Sequence, residues 1–384
     1  MTSVGFIPLR KGSKGIPGKN KRKMVGKPLF TWVLGAALQS DLDTVYVYTD
    51  DLDIISFIEK EYHYTNKIKA LQRSEASATD TASTESAMLE FAQTLDYNFD
   101  AICLLQATSP FTTATDINNS LALLSKGYDS TVTVVNTHRF IWDASGKPLN
   151  YDYKNRPRRQ DFDGLLVENG AVYTCLASVL KTKQNRLGDA VGVVTMPEDS
   201  LYEIDTENDW TVVEQLLIQR QQQLKKAEKI THLVLDVDGV FTDGTITYTK
   251  DGEHTKQFDM RDGMGLEILR QFGVTVMIMT SERSELVAKR MEKLQIEHVF
   301  LGVKDKHTLL TQLAKTHQFS LNNVAYVGDD VNDLANICSV GWSLAPNNAM
   351  QEVINQADII LPKPSGAGAI RSACQFIKQY NKRF

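Results

Sequence analysis

Short apolar runs alternate with longer stretches of helical spacing along the whole chain. Positions 4–8, 45–49, 101–106, 131–135 and 171–174 are compact apolar runs bounded by polar or glycine-rich segments, the mark of buried strands. Between them, 29–38 and 54–62 have the spacing of helices. This alternation predicts βαβ units and a mostly parallel sheet whose ligands gather at the carboxyl ends of the strands. Residues 210–229 then read as one helical run that begins amphipathic and ends polar, QRQQQLKKAEK. Its end is taken as a boundary between domains 1–225 and 226–384, although a surface helix wholly inside one domain is an equally open reading. Beyond it, 233–235, 274–279 and 324–327 read as strands, and 263–272 and 284–294 as helices. The expected architecture is α/β, in two domains that each hold a mostly parallel sheet with flanking helices.

Composition narrows the function more than the fold. With 384 residues and 42% hydrophobic content, each half can bury its own core. Lys and Arg number 42 against 47 Asp and Glu, a net charge of −5, which argues against a nucleic-acid partner. No 18-residue apolar run is present, so no membrane partner is expected. The start, MTSVGFIPLR, reads as a strand and lacks the regions of a secretory signal. Cys103, Cys175, Cys338 and Cys374 are scattered without a CxxC pair, which suits a reducing cytoplasm better than a disulfide framework or a zinc site.

The first chemical signal is the run 10–27, RKGSKGIPGKNKRKMVGK, where eight of eighteen residues are Lys or Arg in an acidic chain. Gly12, Gly15 and Gly18 allow close backbone approach. Backed by Arg10, Lys14 and Lys19, their amides would cradle a polyphosphate between a strand and a helix. It is not a Walker A loop: five residues separate Gly12 from Gly18, and Asn20 stands where Ser or Thr should follow the Lys.

IPLRKGSKGIPGKN resembles the first motif of the acylneuraminate cytidylyltransferases, the CMP-sialic acid synthetases. The likeness continues in order over roughly the first 225 residues. Val47-Tyr48-Thr49-Asp50 is similar to the family's second strand, and Arg73 with Asp80-Thr81-Ala82-Ser83-Thr84 to its nucleotide-binding segment. Leu105-Gln106-Ala107-Thr108-Ser109-Pro110 resembles the QxTSP motif. Arg156 to Asp161, followed by Glu168-Asn169-Gly170-Ala171-Val172-Tyr173, resembles the sugar-binding segment of the vertebrate type. Glu203-Ile204-Asp205, with Asp209-Trp210 behind it, resembles the metal-binding DID motif.

The resemblance implies attack of a sugar's anomeric hydroxyl on the α-phosphorus of CTP, with pyrophosphate leaving. Arg10 and Lys19 would neutralise the triphosphate as catalytic residues, and Gly12, Ser13, Asn20, Arg73 and Thr84 would complete the CTP site. Asp205, with Glu203, would hold Mg²⁺. Gln106, Arg159, Asn169 and Tyr173 would bind an acidic sugar, Arg159 taking its carboxylate through paired hydrogen bonds. Three positions depart from the family pattern. Lys11 replaces the usual Gly after Arg10, Thr112 stands where many bacterial members have Arg, and Glu203 takes the first acidic position of DID. An exposed strand-end acid is an equally open reading of Glu203.

The second signal is Leu233-Val-Leu-Asp236-Val-Asp238-Gly-Val-Phe-Thr-Asp243-Gly, an apolar strand running into three carboxylates. Residues two apart point the same way from an extended chain, so Asp236 and Asp238 could face one site. Such carboxylates repel unless a cation lies between them, and oxygen ligands favour Mg²⁺. A second acidic strand end, Gly328-Asp329-Asp330-Val-Asn332-Asp333, offers the remaining ligands, with Thr280 and Lys306 between the two.

DxD, Thr, Lys and GDDxxD in that order resemble the haloacid dehalogenase (HAD) phosphatases. Phe258-Asp-Met-Arg261-Asp262-Gly263 and Gly366-Ala-Gly-Ala-Ile-Arg371 are similar to the Kdo-8-phosphate phosphatase subgroup, which lacks a large cap and forms tetramers. The resemblance implies Asp236 as nucleophile, Asp238 as acid and base, and Thr280 and Lys306 as phosphoryl-oxygen ligands. Asp236, Asp238 and Asp329 would form the metal site, giving one Mg²⁺ per domain, with Asp333 supporting that shell. Glu282 stands where Kdo-type members have Arg, and with Lys293 it matches the nine-carbon branch.

The two resemblances together imply a bifunctional enzyme. It would activate a nine-carbon 2-keto-3-deoxy acid sugar (KDN or N-acetylneuraminate type) with CTP and dephosphorylate the sugar 9-phosphate, as a cytoplasmic homotetramer assembled through the second domain. Two alternatives stay open: a second domain that serves only in oligomerisation, as in the vertebrate synthetases, and an enzyme specific for Kdo.

Overall fold

A computed structural model describes residues 1–384 apart from positions 14, 80 and 251. The roles expected of Lys14 and Asp80 therefore lie outside the described residues. The chain forms two compact units, one of 1–22 and 29–213 and the other of 23–28 and 214–384. The division falls inside helix Glu207–Leu224, which lies where the run 210–229 was read.

The first unit is built on a seven-stranded sheet. Its order is Ile68–Gln72, Thr44–Thr49, Ser3–Leu9, Ala101–Leu105, Leu165–Leu176, Ser130–Thr137, Val191–Met196. All neighbours are parallel except Leu165–Leu176, which runs antiparallel to both of its own. Alternation assigns the faces. Ile7 and Leu9 join Val33, Leu34 and Ile117 in one core, while Phe6 joins Tyr48, Met88 and Phe91 in the other. A sheet covered on both faces leaves its carboxyl edge as the place for a ligand.

The second unit holds a six-stranded, wholly parallel sheet. Its order is His298–Leu301, Thr275–Thr280, His232–Leu235, Val324–Val327, Trp342–Ala345, Ile359–Ile360. Helices Met260–Gln271 and Ala369–Asn381 pack together against it, burying Leu266, Leu269, Ile370 and Ile377. The central strand is flanked by Thr275–Thr280 and Val324–Val327, so Asp236, Thr280 and Asp329 leave the sheet side by side.

Strands Ile68–Gln72 and Val191–Met196 are edge strands that the apolar pattern did not mark, because each has one solvent-facing side. The run 171–174 lies in the buried second half of a twelve-residue strand whose first four residues, Leu165 to Glu168, are mostly exposed. All four cysteines are buried free thiols, each pushed up to about 12 by burial. No helix among the described residues is long and apolar enough to cross a membrane.

Candidate active sites

In the first unit, strand Ser3–Leu9 delivers Arg10 to the carboxyl edge of the sheet. The loop that follows is held down at Gly15, where a Cβ would lie 2.1 Å from the Asp205 carbonyl oxygen. Lys19 reinforces this contact, donating to the Ile204 carbonyl at 2.5 Å and pairing with Asp205 at 3.4 Å. Asn20 donates to the Arg10 carbonyl at 3.2 Å and fixes the loop's base. Lys21 is committed to Asp51 and Asp53 at 2.9 and 2.8 Å, and Arg22 to Glu207 at 2.7 Å. Among the described residues, the cations that line the cavity are Arg10, Lys19 and Arg73.

That cavity measures about 220 Å³. Arg10, Gly12, Ser13, Lys19, Asn20, Arg73 and Thr84, the whole expected nucleotide set, line it together with Gln106. Ser83 and Thr84 bring the amino end of helix Thr84–Thr94 to its wall, which adds a partial positive charge. Cationic and open, the space suits a polyanion.

The expected sugar residues divide. Gln106 faces the cavity, whereas Arg159 lies on an exposed turn, Arg159–Asp161. Tyr173 donates to Glu168 at 2.9 Å beneath the Arg186 guanidinium, and burial with Glu168 pushes its hydroxyl up to about 12. Asn169 is not brought to the cavity. It is fully buried, accepting from Thr133 at 2.8 Å and donating to Ser200 at 3.0 Å, so it braces the strand. Glu203 packs against Gly170, where a Cβ would meet its Oε1 at 2.5 Å, and burial with nearby Asp205 raises its carboxyl. Asp205 is exposed beside Lys19.

The second unit's site is dense and acidic. Lys306, fully buried at the start of helix Lys306–Thr316, lies 2.7 Å from Asp236 and 2.8 Å from Asp333. Tyr326 donates to Asp333 at 2.6 Å, and the Asp329 amide reaches its other oxygen at 3.1 Å. Asp236, Asp329 and Asp333 bring ligand oxygens within 4.8 Å of one another. Gly239 permits this, since a Cβ there would overlap an Asp329 oxygen at 1.9 Å. Burial and the facing carboxylates push Asp329 up to about 8. Burial alone would lower the Lys306 ammonium, but Asp236 and Asp333 hold it above the ordinary lysine range. Asp329 Oδ1 and Asp238 Oδ2 are buried without a hydrogen-bond partner among the described residues. One ammonium among three carboxylates, with Asp329 Oδ1 left unpartnered, fits a bound divalent cation.

Asp238 does not belong to this carboxylate cluster, and Asp333 stands in its place. The strand ends at Leu235, and a turn closed by Val240 N–H to the Val237 carbonyl follows. Alternation of faces therefore stops at Asp236. Asp238 Oδ1 instead accepts from the buried Lys256 at 2.6 Å. Thr280 is buried at the end of its strand, as expected. Glu282 is exposed and pairs with exposed Lys304 at 3.1 Å, while Lys293 lies exposed in the last turn of Glu285–Lys293.

A cytidylyltransferase family model matches residues 4–240. The chain belongs to the cytidylyltransferase family. A haloacid dehalogenase-like hydrolase model matches 281–371, so this cytidylyltransferase also carries a HAD-type hydrolase domain. It is 33% identical to the N-acylneuraminate cytidylyltransferase of Oncorhynchus mykiss, over 99% of this chain and 89% of that protein. The 3-deoxy-D-manno-octulosonate 8-phosphate phosphatase of Escherichia coli K12 is 36% identical over 40% of this chain and 82% of its own. A solved phosphatase of the same name from Moraxella catarrhalis, in complex with magnesium, phosphate and KDO, is 33% identical (44% of this chain, 94% of that one, TM-score 0.39).

Two residues of the cytidylyltransferase's second site escape sequence reasoning. Lys256 lies in a polar segment without a motif. Tyr326 carries a weak signal, a hydroxyl inside the otherwise aliphatic run Val-Ala-Tyr-Val.

Proposed function

We propose that this chain catalyses two consecutive steps on one nine-carbon 2-keto-3-deoxy acid sugar. The second domain (226–384) removes the 9-phosphate, and the first (1–225) couples the free sugar to CTP. The observation that carries the double reading is the intact contact of Lys306 with Asp236, beside an Asp329 that keeps a free ligand oxygen. A domain kept only for assembly has no need of that arrangement.

In the first step an Asp236 oxygen attacks phosphorus and the ester P–O bond breaks. Asp238 Oδ2 hands its proton to the leaving alkoxide, then takes one from the water that hydrolyses the aspartyl phosphate. Lys256 holds the other Asp238 oxygen in place. Lys306 and Thr280 bind phosphoryl oxygens. Asp236 and Asp329 would hold Mg²⁺, which supplies charge neutralisation at phosphorus when bound.

In the second step the anomeric hydroxyl attacks the α-phosphorus of CTP and pyrophosphate leaves. Arg10 and Lys19 take up the charge of the leaving group, while Asn20, Arg73 and Thr84 orient the nucleotide. Arg159 takes the sugar carboxylate, with Gln106 and Tyr173 toward its hydroxyls. Asp205, with Glu203, would hold a second Mg²⁺. We further infer a cytoplasmic homotetramer. The motif spacing leaves no room for a cap, and exposed Tyr248, Met260 and Met264 offer an apolar surface for a neighbouring copy.

A Kdo-specific reading is favoured by the likeness of residues beyond 226 to Kdo-8-phosphate phosphatases, and opposed by Glu282 in place of Arg. The deciding experiment assays the full chain with CTP and KDN, N-acetylneuraminate, legionaminate or Kdo, and with the corresponding phosphates. Nine-carbon preference in both steps is expected, and preference for Kdo overturns it. Asp236→Asn should lower phosphate release about 10³-fold or more while CMP-sugar formation continues. Hydrolysis that survives this change removes the phosphatase reading.

A further inference from the structure

The second compact unit contains one piece of chain that sequence places far from it, residues 23–28. Lys23–Met24 pairs antiparallel with Lys27–Pro28, and Val25 and Gly26 form the tip. Both tip residues have positive φ, 48° at Val25 and 81° at Gly26. A β-branched residue is rarely found there, and such a conformation persists only where surrounding structure dictates it. Here the surroundings are the hydrolase unit itself. Val25 is fully buried, and its N–H donates to Glu214 at 2.9 Å. Gly26 lies so close to Val331 that a Cβ would be 2.0 Å from its carbonyl oxygen.

Lys27 makes the chemically telling contact. Its ammonium is buried, 2.9 Å from the equally buried Asp305 and 2.6 Å from the Thr308 hydroxyl. Asp305 caps helix Lys306–Thr316 by accepting from the Thr308 N–H at 3.1 Å. The next residue is Lys306, which spans Asp236 and Asp333. Asp333 closes the turn Val331–Asp333 against which Gly26 is packed. The hairpin thus touches both supports of the Lys306 ammonium: the start of its own helix and the turn that carries its carboxylate partner. A buried carboxylate deprived of a countercharge must draw in water or move, and the helix start would move with it.

We propose that Lys23–Pro28 is an integral part of the hydrolase site, and that Lys27 is a positioning residue that sets Lys306 through Asp305. The proposal rests on the phosphatase reading for its activity readout only. The link itself is read by amide exchange.

The test compares the full chain with Lys27→Met and with Lys27→Met/Asp305→Asn. Phosphate release from KDN 9-phosphate is measured per folded molecule, with p-nitrophenyl phosphate as a second probe. Lys27→Met should lower kcat about 10²-fold with KM changed less than about threefold, because the phosphoryl clamp is displaced and the rest of the pocket is not. The double variant, which also removes the buried Asp305 charge, should recover most of that loss. Thr308 N–H exchange should be at least about tenfold faster in Lys27→Met than in the parent chain and return toward it in the double variant. An unchanged kcat per folded molecule, a loss the double variant fails to repair, or unchanged Thr308 exchange each overturns the proposal. A parent chain that releases no phosphate yet shows the faster exchange in Lys27→Met removes the phosphatase reading and leaves Lys27 as the residue that sets this helix.

Discussion

The two candidate sites are electrostatic opposites. The first is an open, cation-lined space of about 220 Å³, bounded by Arg10, Lys19, Arg73 and the amino end of a helix. The second packs Asp236, Asp329 and Asp333 around one buried ammonium. Each departs from neutrality in the sense opposite to what it is expected to receive. A triphosphate brings negative charge, so its pocket is prepared with cations and room. The second site is expected to take a divalent cation before its phosphate, and its carboxylates Asp236, Asp238, Asp329 and Asp333 outnumber Lys306 and Lys256. Both sites lie at the carboxyl ends of parallel strands, so the fold sets the location and the side chains set the sign.

The largest effect that separates them is expected at Lys306. Lys306→Met leaves Asp236 and Asp333 facing each other without the ammonium between them, and phosphate release should fall about 10³-fold or more. Cytidylyl transfer by the same sample should stay near the parent rate. Steady-state assays of both activities on one preparation check this, and a parallel fall of the two would erase the contrast between the sites.

Next in size is Lys19. Its ammonium is the cavity cation that also ties the loop to Ile204 and Asp205. Lys19→Met should lower CMP-sugar formation about 10²-fold or more and weaken CTP binding, while phosphate release is untouched. If transfer persists with ordinary CTP affinity, the open cationic cavity is not the triphosphate site.

The two sites were also unequally legible in the sequence. The set proposed to bind nucleotide follows a local order of strand, glycine loop and helix start, and its seven residues line one cavity. Local order also revealed Asp236, Thr280, Lys306 and Asp329, one at or after the end of each of four strands. What failed was the extension of strand logic past the strand's end. Alternation along the strand puts Asp238 on the face of Asp236, yet the chain turns after Leu235 and Asp238 meets Lys256 instead. Asn169 failed differently: its motif is intact, but burial against Thr133 and Ser200 leaves its side chain no free group to offer. The hairpin 23–28 was hidden by composition, since its lysines continue a basic run while Lys27 is in fact buried against an aspartate. Long-range partners of this kind leave no period in a sequence.

The smallest effect tests the acidic character of the second unit away from its catalytic carboxylates. Asp262, fully buried in helix Met260–Gln271, accepts from the Arg371 N–H at 2.7 Å near the start of helix Ala369–Asn381. Burial, with Asp259 adding to it and backbone N–H groups opposing it, pushes its carboxyl up to about 6. A folded-state value above the unfolded one means that the folded form binds the proton more tightly. The associated stability is present below the unfolded value of 3.8 and is lost as pH rises through about 6. The rise from 3.8 to about 6 corresponds to about 3 kcal/mol at most. Asp262→Asn keeps an acceptor for Arg371 and removes the charge, so it should abolish this part of the pH dependence and leave the variant more stable than the parent near neutrality. Urea unfolding of both chains at about pH 4 and about pH 7 measures the difference. Parallel pH profiles would show that the helix start, acting as a partial positive charge, holds Asp262 ionised at both pH values.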